Sequence, residues 1–227
     1  MNTLFAAVCA MFCITVATLA DTVSLTPSAD TTLFQSAPDN NLGGVPTLAV
    51  GTTGHGTAAR ALIKFDLTGQ IPSNAVVTGV RLHMTIVRTP FLPQPSTFSL
   101  HRVLKDWSEG DKSASTLGEL AAPGQTTWNN RFHPATPWQT PGAAAGVDFS
   151  AAVSSSSTNS DLGPSLFDTS SAIIADVRAW MADPGQNFGW IVISPSEGTS
   201  LTARRFGSRE DTANSPVLEV EYAPPLL

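Results

Sequence analysis

Strict alternation of apolar with other residues limits what this chain can become more than any other feature. Val80, Leu82, Met84 and Ile86 alternate with Arg81, His83, Thr85 and Val87. On an extended backbone this sends one set of side chains into a core and the other outward. Ala61, Ile63 and Phe65 alternate with Arg60, Leu62 and Lys64 in the same way, and Leu218, Val220 and Tyr222 with Glu219 and Glu221. Further strands are predicted near 22–25, 31–35, 47–51, 97–104, 188–194 and 200–206. Turn signals separate them, among them Asp39-Asn40-Asn41-Leu42-Gly43-Gly44, Gly54-His55-Gly56 and Asp183-Pro184-Gly185. About nine short strands with this punctuation predict an all-β chain folded as an antiparallel sandwich.

One helix interrupts the pattern. Ile173, Ile174, Val177, Trp180 and Met181 fall on a single apolar stripe over about 170–182. Asp168, Thr169 or Ser170 can cap its start, and Pro184-Gly185 ends it. A helix placed so is expected to cover an open end or face of the sandwich and to bury Trp180.

Residues 106–167 read differently. They are rich in Gly, Ala, Ser, Thr and Pro, and the run Ser154-Ser155-Ser156-Ser157 has no periodicity. The expectation is a long irregular loop region, mobile around 154–161, because its composition offers no core. Yet it contains three of the five Trp residues, Trp107, Trp128 and Trp138.

The first twenty residues are apolar, too short for a comfortable membrane span, and end in Thr18-Leu19-Ala20 before Asp21. They are read as a cleaved signal peptide, leaving 21–227 as one domain that is secreted, extracellular or periplasmic, and free of the membrane. Cys9 and Cys13, the two cysteines of the chain, lie inside that segment. Cysteine catalysis and thiolate metal sites are therefore excluded from the mature chain. A net charge of −6 over 227 residues argues against nucleic acid, which demands clustered Lys and Arg. A monomer is expected.

Several blocks, in order, carry a family resemblance. They are Arg60-Ala61-Leu62-Ile63-Lys64-Phe65-Asp66-Leu67, Ile71-Pro72-Ser73-Asn74-Ala75-Val76-Val77, Asp106-Trp107-Ser108-Glu109-Gly110, Thr127-Trp128-Asn129-Asn130, Phe188-Gly189-Trp190-Ile191 and Phe206-Gly207-Ser208-Arg209-Glu210. Over most of residues 28–222 the chain resembles the DNRLRE domain family. The resemblance implies a secreted bacterial domain of β-jelly-roll type, similar to carbohydrate-binding modules found with polysaccharide-degrading enzymes, some of them uronate-degrading.

Sugar recognition needs aromatic faces for C–H surfaces and planar polar groups for hydroxyls. Trp107, Trp128 and Trp138, with Asn129 and Arg131, supply those types within one region; the alternative is that Trp107 and Trp128 pack on the end of the sheet and tie the loop down. Arg204 and Arg205 are the densest positive cluster and are candidates for gripping uronate carboxylates, although on a strand they point to opposite faces. Arg209 is set to pair internally with Glu210 or Asp211. Asp106, Glu109 and Asp111 are the nearest approach to a catalytic carboxylate set, and no catalytic residue is assigned. No cofactor is expected, apart from a structural calcium for which Asp30, Asp39, Asn40 and Asn41 are the candidate oxygens. The favoured function is a non-enzymatic module that binds an extracellular, uronate-containing polysaccharide. The alternatives are a structural or adhesive surface protein and a polysaccharide-degrading enzyme.

Overall fold

The computed structural model describes residues 20–223. Cys9, Cys13 and all but the last residue of the predicted signal segment lie outside them. Chain order runs β1 (Asp21–Leu25), β2 (Ala29–Phe34), β3 (Asn40–Asn41), β4 (Thr47–Thr52), β5 (Ala58–Lys64), β6 (Val76–Arg88) and β7 (Phe98–Arg102). Then come β8 (Glu119–Leu120), β9 (Asn130–Phe132), β10 (Thr136–Pro137), β11 (Ser155–Ser157), β12 (Gly163–Phe167), α1 (Ser171–Ala182), β13 (Trp190–Ile193), β14 (Arg204–Gly207) and β15 (Val217–Ala223). The pairing is antiparallel, and the main strands follow the order β1-β15-β6-β14-β4-β5-β13-β7-β11, with β12 added to β6 and β2 to β5. This curled sheet is a sandwich of jelly-roll type.

The curl turns at β4. Its Thr47–Val50 stretch pairs with β14 in one layer, and Gly51 and Thr52 pair with β5 in the other. Gly51 sits at φ +110, and a Cβ there would lie 2.8 Å from the Ala203 Cα and the Thr202 carbonyl oxygen, so the corner requires glycine.

Between the layers lies the main core. Leu48 and Val50 of β4, Ala61 and Ile63 of β5, Leu82, Met84 and Ile86 of β6, and Trp190 and Val192 of β13 all join it. β6 carries a one-residue slip: its register against β15 shifts between Glu221 and Tyr222, opposite Gly79 and Val77. This bulge lets both Val77 and Val80 point inward although three residues apart. Helix α1 closes one side, with Ser170 accepting from the Ile173 N–H as its cap. Ile173, Val177 and Trp180 enter the core, and Trp180 packs edge-on against Trp190 with ring centres 4.6 Å apart. Buried Asp176 ties the helix down, accepting from Trp190 Nε1 at 2.9 Å and from Ser154 Oγ at 2.5 Å.

A second cluster covers the outer face of the β2-β5-β13 layer. Leu33, Leu62 and Ile191 point away from the main core and meet Val103, Trp107, Trp128, Trp138 and Phe149. Strand β5 is therefore buried on both faces, which is why Leu62 breaks the polar half of its alternation. The excursion after β7 has a core of its own, contrary to expectation. Its serine run is also ordered: Ser155–Ser157 pair with Phe98–Leu100, and Gly163–Phe167 pair with Leu82–Ile86. Ser154, Ser155 and Ser157 are buried, their hydroxyls reaching Asp176 Oδ2, the Asp168 carbonyl and Ser165 Oγ.

Candidate functional site

The aromatic excursion folds inward. Trp107, Trp128 and Trp138 are all buried. Trp107 Nε1 donates to the Phe188 carbonyl at 2.8 Å, and Trp138 Nε1 donates to the Thr127 carbonyl at 3.0 Å. The Arg60 guanidinium lies 5.5 Å from the centre of the Trp128 ring. That same group makes a two-pronged contact with Glu197, at 2.8 and 2.7 Å, and donates to the Gly142 and Ala143 carbonyls. The three indoles thus pin the excursion to the sheet and present no open face to a polymer. Asn129 donates to Asp39 Oδ1 at 2.8 Å. Arg131 donates to the Asp106 carbonyl at 3.0 Å, with Phe132 beside it and part of both side chains in solvent.

The two adjacent arginines part company, as strand alternation demands. Arg204 is 1% exposed and donates to the carbonyls of Ser160, Leu201, Thr202, Ala203 and Gln94. Its guanidinium is fully occupied in joining three loops. Arg205 turns the other way, into a groove of about 230 Å³ whose walls include Phe34, Ala49, Arg88, Pro90 and Phe91. In the ladder Arg205 stands directly opposite Arg88 of β6. Arg205 donates to Thr47 Oγ1 at 3.0 Å and to the Thr116 carbonyl at 3.3 Å. Burial, and after it the charge of Arg88, pull Arg205 below the ordinary arginine value.

Carboxylates elsewhere serve several of the cations. Arg60, Arg81, Arg102, Lys112 and Arg209 each form an ion pair, whereas among the described residues neither Arg88 nor Arg205 does. Two unneutralised guanidinium groups on neighbouring strands repel each other, and a shared anion relieves that repulsion. Phe91, 89% exposed, and Leu92 project from the loop at the mouth. Sequence reasoning found Arg205 but missed Arg88 and Phe91. The signal available was an aromatic set between Pro90 and Pro93 directly after an arginine that ends a strand.

The remaining candidates are dispersed. Asp106 accepts from the Trp107 N–H, Asp111 from Gln125, and Glu109 from the Asp30 N–H and both Nε and Nη2 of Arg209. Arg209 also pairs with Glu210 at 3.0 Å. Of the candidate calcium oxygens, buried Asn41 accepts from the Gly43 and Lys112 N–H groups and donates to the Glu109 and Thr126 carbonyls. Asp39 accepts from Asn129, Asn40 donates to the Leu117 carbonyl, and Asp30 accepts from the Arg209 N–H. Each of the four meets its own set of protein partners. No group of three or more His, Asp or Glu side chains that could hold a metal occurs among the described residues.

Fold and groove together define a β-sandwich module with an open, cationic, aromatic-edged surface site. Carbohydrate-binding module family 96 matches residues 21–144, more than half of the chain, and the chain belongs to that family. It is a carbohydrate-binding module. No curated protein matches the sequence.

Proposed function

We propose that this module binds an anionic, uronate-containing polysaccharide in the groove between Arg88, Phe91 and Arg205, outside the cytoplasm and without catalysing its cleavage. The observation that carries the reading is the Arg88–Arg205 cross-strand pair, two guanidinium groups that share no carboxylate. A uronate supplies the missing charge in a planar form that matches a guanidinium fork, while the exposed Phe91 ring offers an apolar face to sugar C–H bonds. The structural engagement of Asp106, Glu109 and Asp111 supports a non-catalytic role, and the apolar N-terminal segment supports export. Of the residues first considered for the ligand, Arg205 remains in the proposed site.

Calorimetric titration with polygalacturonate tests this. Arg88→Ala and Arg205→Ala are each expected to weaken binding at least tenfold, and Phe91→Ala several-fold. Wild-type affinity should fall as salt rises past about 0.1 M, where charges about 10 Å apart are screened. Unchanged affinity in both arginine variants would remove the groove from the reading.

A further inference from the structure

A roomier cavity than the groove lies elsewhere, between the end of β5, the turn that leads into β6 and the C-terminal end of α1. It has a volume of about 480 Å³, within the range of about 300–1,000 Å³ common for small-ligand sites. Leu67, Ile71, Trp180 and Met181 give it apolar walls, and Lys64 and Asp66 stand among the polar groups that line it. Trp180 is 2% exposed, and its Nε1–H has no acceptor among the described residues. That nitrogen is buried out of reach of solvent, so the polar groups open to a ligand are those of the rim.

We infer that this cavity is a second saccharide site, one that takes an uncharged hexose unit such as the end of a neutral glycan. The inference rests on the carbohydrate-binding reading but not on the cationic groove. Charge balance selects the ligand. Asp66 accepts from the Thr68 N–H at 2.9 Å, and that hydrogen bond, more than any other influence, holds its carboxyl below the usual range. It is therefore ionised at neutral pH and can accept from sugar hydroxyls, while the Lys64 ammonium donates to them. The two charges cancel, so a uronate would meet Asp66 and an amino sugar would meet Lys64, each without a net gain. A neutral ring lays its C–H face on the apolar wall and its hydroxyls on this rim.

The two sites are far apart. Ile71 and Ser73 of the cavity precede the first residue of β6, and Arg88 of the groove is its last. Thirteen residues of strand separate the ends by roughly 40 Å. No single sugar spans that distance, so a protein with both sites filled joins two chains or two distant stretches of one.

Titration of the full-length protein with cello-, laminari-, malto- and mannohexaose tests the assignment, with polygalacturonate as the parallel probe. At least one neutral hexaose is expected to bind with little response to salt. Ser73→Trp, which places an indole at the exposed mouth, should weaken that binding at least tenfold and leave polygalacturonate affinity unchanged. Asp66→Ala removes the acceptor on the rim and should weaken it several-fold, with circular dichroism confirming the fold. Failure of all four neutral hexaoses to bind the wild-type protein, or binding undiminished in Ser73→Trp, overturns the second site. Neither result touches the groove. Loss of polygalacturonate binding in Arg205→Ala with the neutral hexaose still bound supports two independent sites, and loss of both in that one variant overturns them.

Discussion

The carboxylate of Asp30, on β2, accepts the backbone N–H of Arg209 at 2.7 Å, joining positions 179 residues apart. Asp30 is 1% exposed, and its own N–H donates to Glu109 Oε1 at 2.6 Å. Burial pushes the Asp30 carboxyl up to about 8, against the hydrogen bond from Arg209 and with help from the charges of Glu210 and Glu109. Asp30 is therefore protonated at neutral pH in the folded protein and ionised in the unfolded chain.

That difference fixes a pH dependence. Because the folded state holds the proton more tightly, the stabilisation is complete below the unfolded value of about 4 and is lost as pH rises through about 8. Thermal midpoints measured from pH 4 to pH 9 should fall across this window. In Asp30→Asn, which keeps a neutral acceptor for Arg209, most of the slope should vanish. A slope unchanged in the variant would assign the dependence to other groups.

Removing Arg204, which also borders the groove, should destabilise the fold. Arg204→Met leaves carbonyls in three loops without a donor, at an expected cost of at least about 3 kcal/mol in urea unfolding. Arg204→Lys should recover only part of this, because an ammonium cannot reproduce the planar fork. Full stability in Arg204→Met would contradict the role as a loop clamp.

The indoles make the same kind of prediction for the excursion. Trp128→Ala is expected to lose about 3–5 kcal/mol, the usual range for deleting a buried aromatic. Gly142→Ala should also destabilise, since Gly142 lies at φ +85 and a Cβ there would come within 2.5 Å of the Trp128 ring. Neither variant should change polygalacturonate affinity at a temperature where it remains folded. A specific loss of affinity with intact stability would return Trp128 to the binding surface.

Limited proteinase K digestion, with its broad specificity, should cut first beside Phe91, which is exposed and lies outside any strand. Saturating polygalacturonate should slow that cut, because the groove includes Phe91. First cleavage within 155–157 would contradict the strand pairing seen there.

Local pattern determined the strands, the helix and the polarity of each face. Period-2 runs such as 80–87 and the stripe from Ile173 to Met181 encode their own structure, because side-chain direction follows from backbone repeat alone. The opposite fates of Arg204 and Arg205 were legible on the same ground. Tertiary structure decided the rest. Serines 155–157 became a strand because β7 offered an edge, a partner that no local signal announces. Trp107, Trp128 and Trp138 were drawn inward by Leu33, Leu62 and Ile191, residues distant in sequence whose outward face needed cover. The slip opposite Gly79 shifted the inward phase of β6 and no composition rule foretells it. Arg88 and Arg205, 117 positions apart, became neighbours only through the register of β6 with β14. Alternation tells which way a side chain points, but only the pairing of strands tells what it meets.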